Sequence, residues 1–309
     1  MSESPRTNRC WICGSERVIP TKSRNLPGRL GPDDLRITDS YYGRTLALLT
    51  CGECGFMFAD ADELADLTPL YEALQDPEYE ETSDGRALQM RWILSLARKA
   101  RPGARTLLDV GAGTGLLVAE AARAGLDAIG VEPSRSFTQV ARRHGATVLQ
   151  GVLPHPAFSD RRFDVVCLID VIEHVADPLM LLRDCQRALT PEGVLIVVTP
   201  DVGSAFARLL RNRWWHFRVA HVGYFNRRSL HRALHLSGLE VEREYHARWC
   251  FRVRYLAKRL TRYLPFVGWI NRAASRWRLL NWLCSRVVTL NLRDSFLLIV
   301  KRTEPAQEP

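Results

Sequence analysis

The chain has 309 residues, of which 46% are apolar and 25% charged, with 20 Gly and 16 Pro. This composition is that of an ordinary globular protein, and it excludes the collagen-like, disordered and disulfide-scaffold classes. No apolar run approaches the roughly 18 residues that a membrane span needs, and residues 1–9 lack the apolar core of a signal peptide, which favours a cytoplasmic protein.

The net charge of +9 is distributed unevenly along the chain. Residues 202–293 contain 19 Lys and Arg but only three Glu, a net charge of +16, so the remainder of the chain carries −7. Such a basic segment indicates a phosphate-bearing partner, which nucleic acid, a lipid headgroup or a sugar carrier could each supply.

Four of the eight cysteines form two Cys-x-x-Cys pairs separated by 37 residues: Cys10 with Cys13, and Cys51 with Cys54. This spacing, with glycines at the turns, is typical of a zinc ribbon, and four protein ligands predict a structural Zn²⁺. Disulfides are a weaker explanation for a cytosolic chain, and a redox pair or a metal-free relic is the other alternative. The solitary cysteines are expected to be core residues: Cys167, Cys185, Cys250 and Cys284.

After this module, residues 68–100 are expected to be mostly helical, and Pro102-Gly103 ends that segment. Apolar strands and amphipathic helices then alternate, which predicts a parallel, doubly wound sheet in an α/β domain. The predicted strands are Thr106–Val110, Ala128–Glu132, Thr147–Leu149, Asp164–Ile169 and Val194–Thr199. The predicted helices are Thr114–Ala124, Ser134–Arg143, Asp177–Leu189 and Arg227–Ser237. Glu240–His246 and Asp294–Lys301 are predicted to be antiparallel final strands.

A glycine-rich turn joins the first of these strands to its helix, with Gly111, Gly113 and Gly115 at alternate positions. Glycines let the backbone approach a ligand closely, and the helix that follows offers free amides. Glu132 ends the second strand about 20 residues later, where a carboxylate can accept both ribose hydroxyls. This arrangement predicts a nucleotide-type cofactor, either a dinucleotide or S-adenosylmethionine (SAM).

The motifs over residues 70–245 resemble those of class I SAM-dependent methyltransferases. The resemblance is closest to the branch that includes ubiquinone O-methyltransferases and bacterial sugar or natural-product methyltransferases. It implies a Rossmann-like seven-stranded sheet, here with a small N-terminal zinc ribbon and a C-terminal amphipathic helical insertion. Relatives from polysaccharide gene clusters often carry such a double Cys-x-x-Cys module. The matching segments are residues 108–115, 130–134, 163–166, 170–178, 189–193 and 199–200.

The resemblance also implies residue roles. Gly111, Gly113 and Gly115 would pass under the methionine part of SAM, Asp109 would contact its amino group and Glu132 its ribose. Asp170 is likewise assigned to the cofactor site. Where many relatives place an Asp near the adenine, this chain has Gln150-Gly151-Val152, so no side chain is assigned there.

Methyl transfer to a hydroxyl requires removal of a proton, for which histidine is suited near neutral pH. His221 is the first candidate for the base, although it could instead cap the next helix, and His174 is the second. Asp170, Glu173 and His174 could alternatively hold a divalent ion, as some ubiquinone-type relatives are reported to do, or could form a hydrogen-bonded turn beside the cofactor.

Between the final strands, residues 248–290 form a basic, tryptophan-rich insertion. On a helical wheel Trp249, Val253, Leu256, Leu260, Tyr263 and Leu264 share one arc, opposite Arg248, Arg252, Lys258, Arg259 and Arg262. We expect this helix to end at Pro265 and a second, with Trp269, Trp277 and Trp282, to begin near Ile270. An anionic membrane surface is the predicted partner. A hairpin packed in the core or in a homodimer is the alternative, and nucleic acid is the least favoured one.

The sequence therefore predicts a zinc-ribbon-like module at residues 1–60 and a helical linker or cofactor lid at 61–103. A SAM-binding core follows at 104–247, with a substrate cover at 200–229, then the insertion at 248–290 and a final strand with a disordered tail at 291–309. The predicted activity is O-methylation of a lipid-linked sugar, glycan precursor or prenylated small molecule at the inner membrane face. The alternatives are an RNA methyltransferase and a catalytically silent SAM-binding scaffold.

Overall fold

In a computed structural model, the described residues are 9–26, 28, 30–36, 42–61, 64, 67–76, 83–261, 264 and 278–303. Several predicted features lie outside them: residues 1–8, Arg262, Tyr263, Pro265, the beginning of the second insertion helix near Ile270 with Trp269 and Trp277, and the tail at 304–309. The predicted helical segment 68–100 is described as two helices, α1 (Leu67–Glu72) and α2 (Ser83–Ala100), with residues 77–82 outside the described part.

The core is a seven-stranded α/β sheet, as predicted from the alternation of apolar strands and amphipathic helices. The strands are β4 (Thr106–Val110), β5 (Asp127–Glu132), β6 (Val148–Gln150), β7 (Phe163–Ile169), β8 (Leu189–Pro200), β10 (Leu239–His246) and β13 (Ser295–Arg302). Their order in the sheet is β10-β13-β8-β7-β4-β5-β6, and β13 runs antiparallel to both of its neighbours while the other pairs are parallel.

Helices cover both faces of this sheet. They are α2, α3 (Leu116–Arg123), α4 (Arg135–Arg143), α5 (Pro178–Ala188) and α7 (Arg227–Leu236). Helix α6 (Ala205–Leu210) instead packs Ala207 against Leu46 and Leu48 of the N-terminal module. Leu107 of β4 packs with α2 and α3, whereas the next residue, Leu108, lies in the other core with α5 and α7. Because successive strand residues point to opposite faces, strands covered on both sides must be apolar throughout. The near-continuous apolar runs in β4, β7 and β8 have this cause.

The N-terminal module forms its own small sheet, which the main domain completes. Strands β1 (Val18–Lys22), β2 (Leu48–Cys51) and β3 (Met57–Ala59) pair antiparallel, and β3 also pairs with β9 (Gly223–Tyr224). Aromatic rings continue the contact, since the ring centroids of Phe56 and Phe225 are 4.8 Å apart. The cysteine module therefore shares one hydrophobic core with the face of the main sheet that α5 and α7 cover.

The insertion differs from its prediction. Its first residues form a strand, β11 (Trp249–Arg252), paired antiparallel with β12 (Val287–Leu290), and helix α8 (Val253–Leu260) begins only after that strand. A further helix, α9, covers Arg278–Ser285. The prediction of one helix from residue 248 was wrong because β-branched Val287 and Val288 offer a partner strand that the local helical periodicity does not reveal.

The insertion also packs closely on α2. A Cβ atom added to Gly85 would lie 2.2 Å from the carbonyl oxygen of Cys250, and the Arg248 guanidinium lies 5.1 Å from the ring centroid of Trp92. Arg252 forms an ion pair with Asp84. These contacts fix the insertion against the main domain. The solitary cysteines Cys167, Cys185, Cys250 and Cys284 are buried, as predicted.

None of the helices in the described parts of the chain has the length and apolarity that a membrane span requires.

Asn226 connects the two sheets and provides a test of this docking. Its Nδ2 donates to the carbonyl of Gly55 at 2.8 Å, while its side-chain oxygen caps α7 by accepting the Ser229 N–H at 2.9 Å. We predict that Asn226→Ala lowers the free energy of unfolding by about 2 kcal/mol, about 1 for the cap and about 1 for the hydrogen bond. Urea unfolding measures this loss.

Asp177→Ala is the matched control, because Asp177 caps α5 at 2.9 Å from the Met180 N–H. Asp177→Ala should lower the free energy of unfolding by about 1 kcal/mol, because it removes only a helix cap. Equal losses in the two variants would contradict the role of Asn226 in docking the cysteine module.

Candidate active site

The candidate site lies where the strand order reverses. Strand β5 lies on one side of β4 and β7 on the other, so a crevice opens at the carboxyl ends of β4 and β7. A cavity of about 1560 Å³ occupies this crevice. Ligand pockets commonly measure roughly 300–1,000 Å³, so this one has room for a cofactor and a second substrate.

The glycine turn forms the floor of the cavity, with Gly111, Ala112 and Gly113 in its lining. Gly111 has φ +72°, and an added Cβ would lie 2.4 Å from Cγ2 of Val171. Gly115 has φ +74°, and its Cβ would lie 2.6 Å from the Cβ of Ala146. Both positions exclude larger residues, because the left-handed backbone and the close neighbours each disfavour a side chain.

Glu132, at the end of β5, is bound to the glycine turn. Its Oε2 accepts the N–H of Gly113 and its Oε1 accepts the N–H of Ser134, both at 2.8 Å. Burial raises the pKa of Glu132, and these two donors act against that rise. Each carboxylate oxygen keeps lone pairs for a further donor, and Glu132 lines the cavity, so the residue suits a ribose diol.

Asp109 and Asp170 end neighbouring strands and face the same cavity. Burial, followed by the charge of Glu132, raises the pKa of Asp109 to about 8, although Arg86 acts in the opposite direction. Burial also raises the pKa of Asp170 to about 7, with Arg86 lowering it and Asp294 raising it. Asp170 adopts φ +53°, and its buried Oδ1 has no hydrogen-bond partner among the described residues. Such acids favour a cationic ligand group.

Arg86, on α2, was missed by sequence analysis. It lines the cavity and acts electrostatically on both Asp109 and Asp170. A guanidinium suits the carboxylate of an amino-acid ligand. Arg86 lies in a helix more than 20 residues before the glycine turn, and no local sequence feature distinguishes it from the other arginines of α2.

The residues present therefore fit SAM. The methionine part of SAM carries an ammonium and a carboxylate, and its nucleoside carries a ribose diol. Asp109, Arg86 and Glu132 supply the matching charges and acceptors around one glycine floor. Gly151 and Val152, where no side chain was assigned to the cofactor, also line the cavity.

The two histidines predicted as bases also line this cavity. Nδ1 of His174 lies 2.6 Å from the Tyr71 hydroxyl and 2.8 Å from the carbonyl oxygen of Ala220, and burial lowers its pKa to about 4. His221 is buried beside it, with ring centroids 4.8 Å apart. Burial first, then the charges of His174, His216 and Arg218, lowers the pKa of His221 well below its usual value. Both rings are therefore neutral at pH 7.

Glu173, His174 and His221 could offer one ligand atom each to a metal ion, and these atoms lie within 4.8 Å of one another. Burial raises the pKa of Glu173 well above its usual value, and its Oε2 accepts the Thr199 hydroxyl at 2.9 Å. The alternative of a hydrogen-bonded turn has direct support in that bond and in the one from the Val222 N–H to the Glu173 carbonyl, 2.8 Å long.

The predicted cover and the insertion form the apolar part of the cavity. Phe206, Leu210 and Trp215 line it from the cover. The insertion adds Trp249, Phe251, Tyr255, Leu256, Leu260, Leu264 and Leu290. Arg259, expected on the solvated side of a helix, instead lines this cavity. Its guanidinium lies 5.4 Å from the ring centroid of Tyr42 and 5.1 Å from that of Tyr255.

The four paired cysteines converge on one point. The Sγ atoms of Cys10 and Cys54 are 3.6 Å apart, those of Cys13 and Cys51 are 3.5 Å apart, and all four lie within 4.8 Å of one another. A tetrahedral ion with Zn–S bonds of about 2.3 Å places its sulfur atoms about 3.8 Å apart, so the cluster fits Zn²⁺. Burial alone would raise the pKa of Cys51, but the N–H groups of Cys54 and Glu53 lower it to about 7.

Comparison with known proteins decides the family. A family model described as a methyltransferase domain matches residues 82–244, more than half of the chain. The chain belongs to the methyltransferase-domain family. This result confirms the predicted recognition as a class I SAM-dependent methyltransferase, and the fold class is confirmed by the seven-stranded sheet.

Curated relatives of this methyltransferase are named ubiquinone biosynthesis O-methyltransferase. That of Azorhizobium caulinodans is 41% identical over 111 residues, which are 33% of this chain and 44% of the relative. That of Caulobacter vibrioides is 37% identical over 119 residues, 34% of this chain and 47% of the relative. The chain thus spans less than half the length of the relatives it matches.

Among solved structures, the magnesium protoporphyrin IX methyltransferase of Synechocystis PCC 6803 with bound SAH matches with a TM-score of 0.47 and 14% identity. The match covers 71% of this chain and 84% of that one.

The raised pKa of Asp109 generates a pH prediction for this methyltransferase. An ammonium group beside Asp109 favours the ionised carboxylate, so SAM binding near pH 7 should release a proton from a group whose pKa is about 8 without ligand. Calorimetry in buffers of different ionisation enthalpy counts that proton. Asp109→Asn should remove it and weaken SAM binding by about tenfold or more, the loss of a charged hydrogen bond.

In the ligand-free protein, the same shift makes the folded chain hold a proton that the unfolded chain has lost. The contribution of Asp109 to the free energy of unfolding is therefore fully present below about pH 4 and is lost as the pH rises through about 8.

Asp127→Asn is the control for the calorimetric proton count, since Asp127 is exposed and paired with Arg161. A proton count that Asp109→Asn leaves unchanged would contradict the assignment.

Proposed function

We propose that the protein transfers the methyl group of SAM to a hydroxyl of an amphipathic acceptor at a membrane surface. The acceptor class is a lipid-linked sugar, a glycan precursor or a prenylated small molecule. The observation that carries the proposal is the continuity of one cavity. It extends from the glycine turn and its acids, beside Asp109, to the apolar wall of the insertion, beside Leu256.

SAM, when bound, supplies a methyl group activated by the positive charge of its sulfonium sulfur. The residues of the chain then have three tasks: to align the acceptor hydroxyl, to exclude water and to take the hydroxyl proton. Asp109, Arg86 and Glu132 would hold the cofactor. The cavity-lining histidines are suited to the proton, and the prediction of His221 or His174 as the base stays a prediction.

The character of the cavity supports the choice of acceptor. A long wall of aromatic and aliphatic side chains suits a chain-like apolar group, because burying such a group yields about 25 cal/mol per Å². The relatives named ubiquinone biosynthesis O-methyltransferase support oxygen as the methylated atom. At the distal part of the wall, Arg259 gives the site a positive charge that suits an anionic acceptor group.

The outer side of the insertion supports membrane docking. Leu260 and Leu264 line the cavity and are still 44% and 43% exposed, while Trp282 and Leu283 of α9 are 51% and 45% exposed. Arg286 stacks on the Trp282 ring at 4.0 Å. Exposed apolar side chains among arginines are typical of segments that lie in an anionic interface. An acceptor chain could thus leave the bilayer beside the cavity.

We also propose a structural Zn²⁺ in the cluster of Cys10, Cys13, Cys51 and Cys54, supported by the sulfur distances. With four protein ligands, the ion would stabilise the module and have no open coordination position for a substrate. The ion would affect the reaction only indirectly, by stabilising β3 and, through the pairing of β3 with β9, the cover.

Gly113→Arg tests the cofactor site. Gly113 has φ +54° and lines the cavity, so an arginine there should strain the turn and fill the floor. We predict loss of SAM binding by at least 100-fold in equilibrium dialysis, with the zinc content of the purified protein unchanged. Lys301→Arg, on the outer part of β13, is the control and should bind SAM normally. Retained SAM binding in Gly113→Arg would refute the cofactor site.

Label transfer tests the acceptor. Purified protein is incubated with methyl-labelled SAM and a whole lysate, and the label is then partitioned among lipid, RNA and water-soluble fractions. We expect label in lipid. Leu256→Asp, which places a charge in the apolar wall, should reduce that label at least tenfold without weakening SAM binding. Label confined to RNA would refute the proposed acceptor and favour an RNA methyltransferase, and label in soluble metabolites would refute the lipid part of the proposal.

The double variant Trp282→Ser with Leu283→Ser changes the outer face of the insertion and tests membrane docking. It should reduce flotation with vesicles of anionic phospholipid, while transfer to a detergent-dispersed acceptor is retained. Unchanged flotation would remove the membrane part of the proposal and leave the cavity assignment intact.

A further inference from the structure

A third histidine, His216, lines the cavity and was not singled out by sequence analysis. Its ring stacks on that of His221 with centroids 6.0 Å apart and an interplanar angle of 21°. On its other sides lie Trp214, at 5.0 Å, and Trp249 of the insertion, at 6.4 Å. The ring therefore has a fixed orientation at the point where the cover meets the insertion.

The decisive contact of His216 is with a buried carboxylate. Nε2 of His216 lies 3.4 Å from Oδ2 of Asp294, and the Asp294 side chain is only 1% exposed. Among the described residues, neither carboxylate oxygen of Asp294 nor Nε2 of His216 has a hydrogen-bond partner, so the two groups face each other at ion-pair distance and each lacks any other partner. A buried carboxylate is costly unless it is paired, so its imidazole neighbour is its natural partner.

The position of Asp294 is set by the sheet. It immediately precedes β13, and its carbonyl oxygen accepts the N–H of Asp201, after β8, at 2.9 Å. Its charge also acts on Asp170, which lines the cofactor part of the cavity. The pair therefore lies between the cofactor acids and the apolar wall, where an acceptor hydroxyl would have to be.

The other two histidines are less suited to accept a proton. Nδ1 of His174 is occupied by the Tyr71 hydroxyl and the Ala220 carbonyl. His221 is 8% exposed, and no carboxylate pairs with it by hydrogen bond among the described residues. The carboxyl group of Glu173 lies within 4.8 Å of a ring nitrogen of each, but it already accepts the Thr199 hydroxyl and burial raises its pKa well above its usual value, so it is not suited to balance an imidazolium there.

We propose that His216 is the general base of methyl transfer and that Asp294 is its positioning residue, an inference that rests on the proposed O-methyl transfer. With Nε2–H directed to Asp294, Nδ1 is the nitrogen that takes the acceptor proton. The acceptor O–H bond breaks as the new O–CH₃ bond forms. The methyl–sulfur bond breaks with its electron pair passing to sulfur, and the imidazolium is balanced by the Asp294 carboxylate.

The kinetic test uses the full chain, labelled SAM and a prenylated catechol as the acceptor probe. His216→Asn and Asp294→Asn should each lower kcat about 100-fold, with the Kd for SAM within twofold of the wild type. Because the two residues act as a unit, the double variant should lose no more than His216→Asn alone. Added imidazole should restore part of the activity of His216→Ala.

His231→Asn is the matched control. His231 also faces a carboxylate, since its Nε2 is hydrogen-bonded to Oε2 of Glu244 at 3.3 Å, but it lies outside the cavity lining. It should keep wild-type kcat. Retention of kcat within threefold in His216→Asn, or a larger loss in His221→Asn than in His216→Asn, would overturn the proposal.

An NMR measurement separates this proposal from the proposed function. In protein with ¹⁵N-labelled histidine rings, a downfield Nε2 proton hydrogen-bonded to Asp294 should be present in the wild type and His231→Asn, and absent from Asp294→Asn. Its absence from the wild type overturns the pair whatever the acceptor is. Failure of the wild type to methylate the probe, with that proton present, counts against the acceptor class and supports the pair.

Discussion

The parallel pairing of β4 with β7 is the constraint on which the rest of the site depends. Asp109 lies in β4 beside Cys167 of β7, and the chain leaves both strands at the same edge of the sheet. Since the connections from these two strands go to opposite sides, a crevice opens at that edge between them. Two acids that are 61 residues apart in sequence, Asp109 and Asp170, therefore face one cavity together with the glycine turn.

A second pairing, of β3 with β9, joins the cysteine cluster to that cavity. The Ala59 N–H donates to the Val222 carbonyl, and the Val222 N–H donates to the Glu173 carbonyl, both at 2.8 Å. Three backbone segments are thus connected in series, from the cysteine module through the cover to the turn after β7.

The insertion illustrates what an amphipathic pattern can and cannot determine. The stripe containing Leu256 and Leu260 correctly indicated an apolar surface to be covered, but lipid, a protein partner and a substrate all satisfy such a stripe equally. In the fold, Leu256 faces the cavity and Trp282 faces outward. Arg259, which the same pattern placed toward solvent, is held by Tyr42 and Tyr255, because aromatic rings from distant segments make the inward orientation favourable.

The sequence by itself determined the α/β sheet, the cofactor class and the cysteine cluster. The sheet and the cofactor class depend on local periodicity and on short motifs whose residues act within one strand–turn–helix unit, as Gly111 and Gly115 do. The cysteine cluster depends on two short Cys-x-x-Cys motifs that carry the same ligand spacing 37 residues apart. Tertiary structure decided the strand at Trp249, the role of Arg86 and the pairing of His216 with Asp294. Those features join residues that are distant along the chain, and only the packing of the sheet, cover and insertion brings their side chains within a few ångströms. The local conformational preferences of a segment do not depend on such distant neighbours. For this reason the glycine floor of the cavity could be predicted from the sequence, and the wall formed by the cover and the insertion could not.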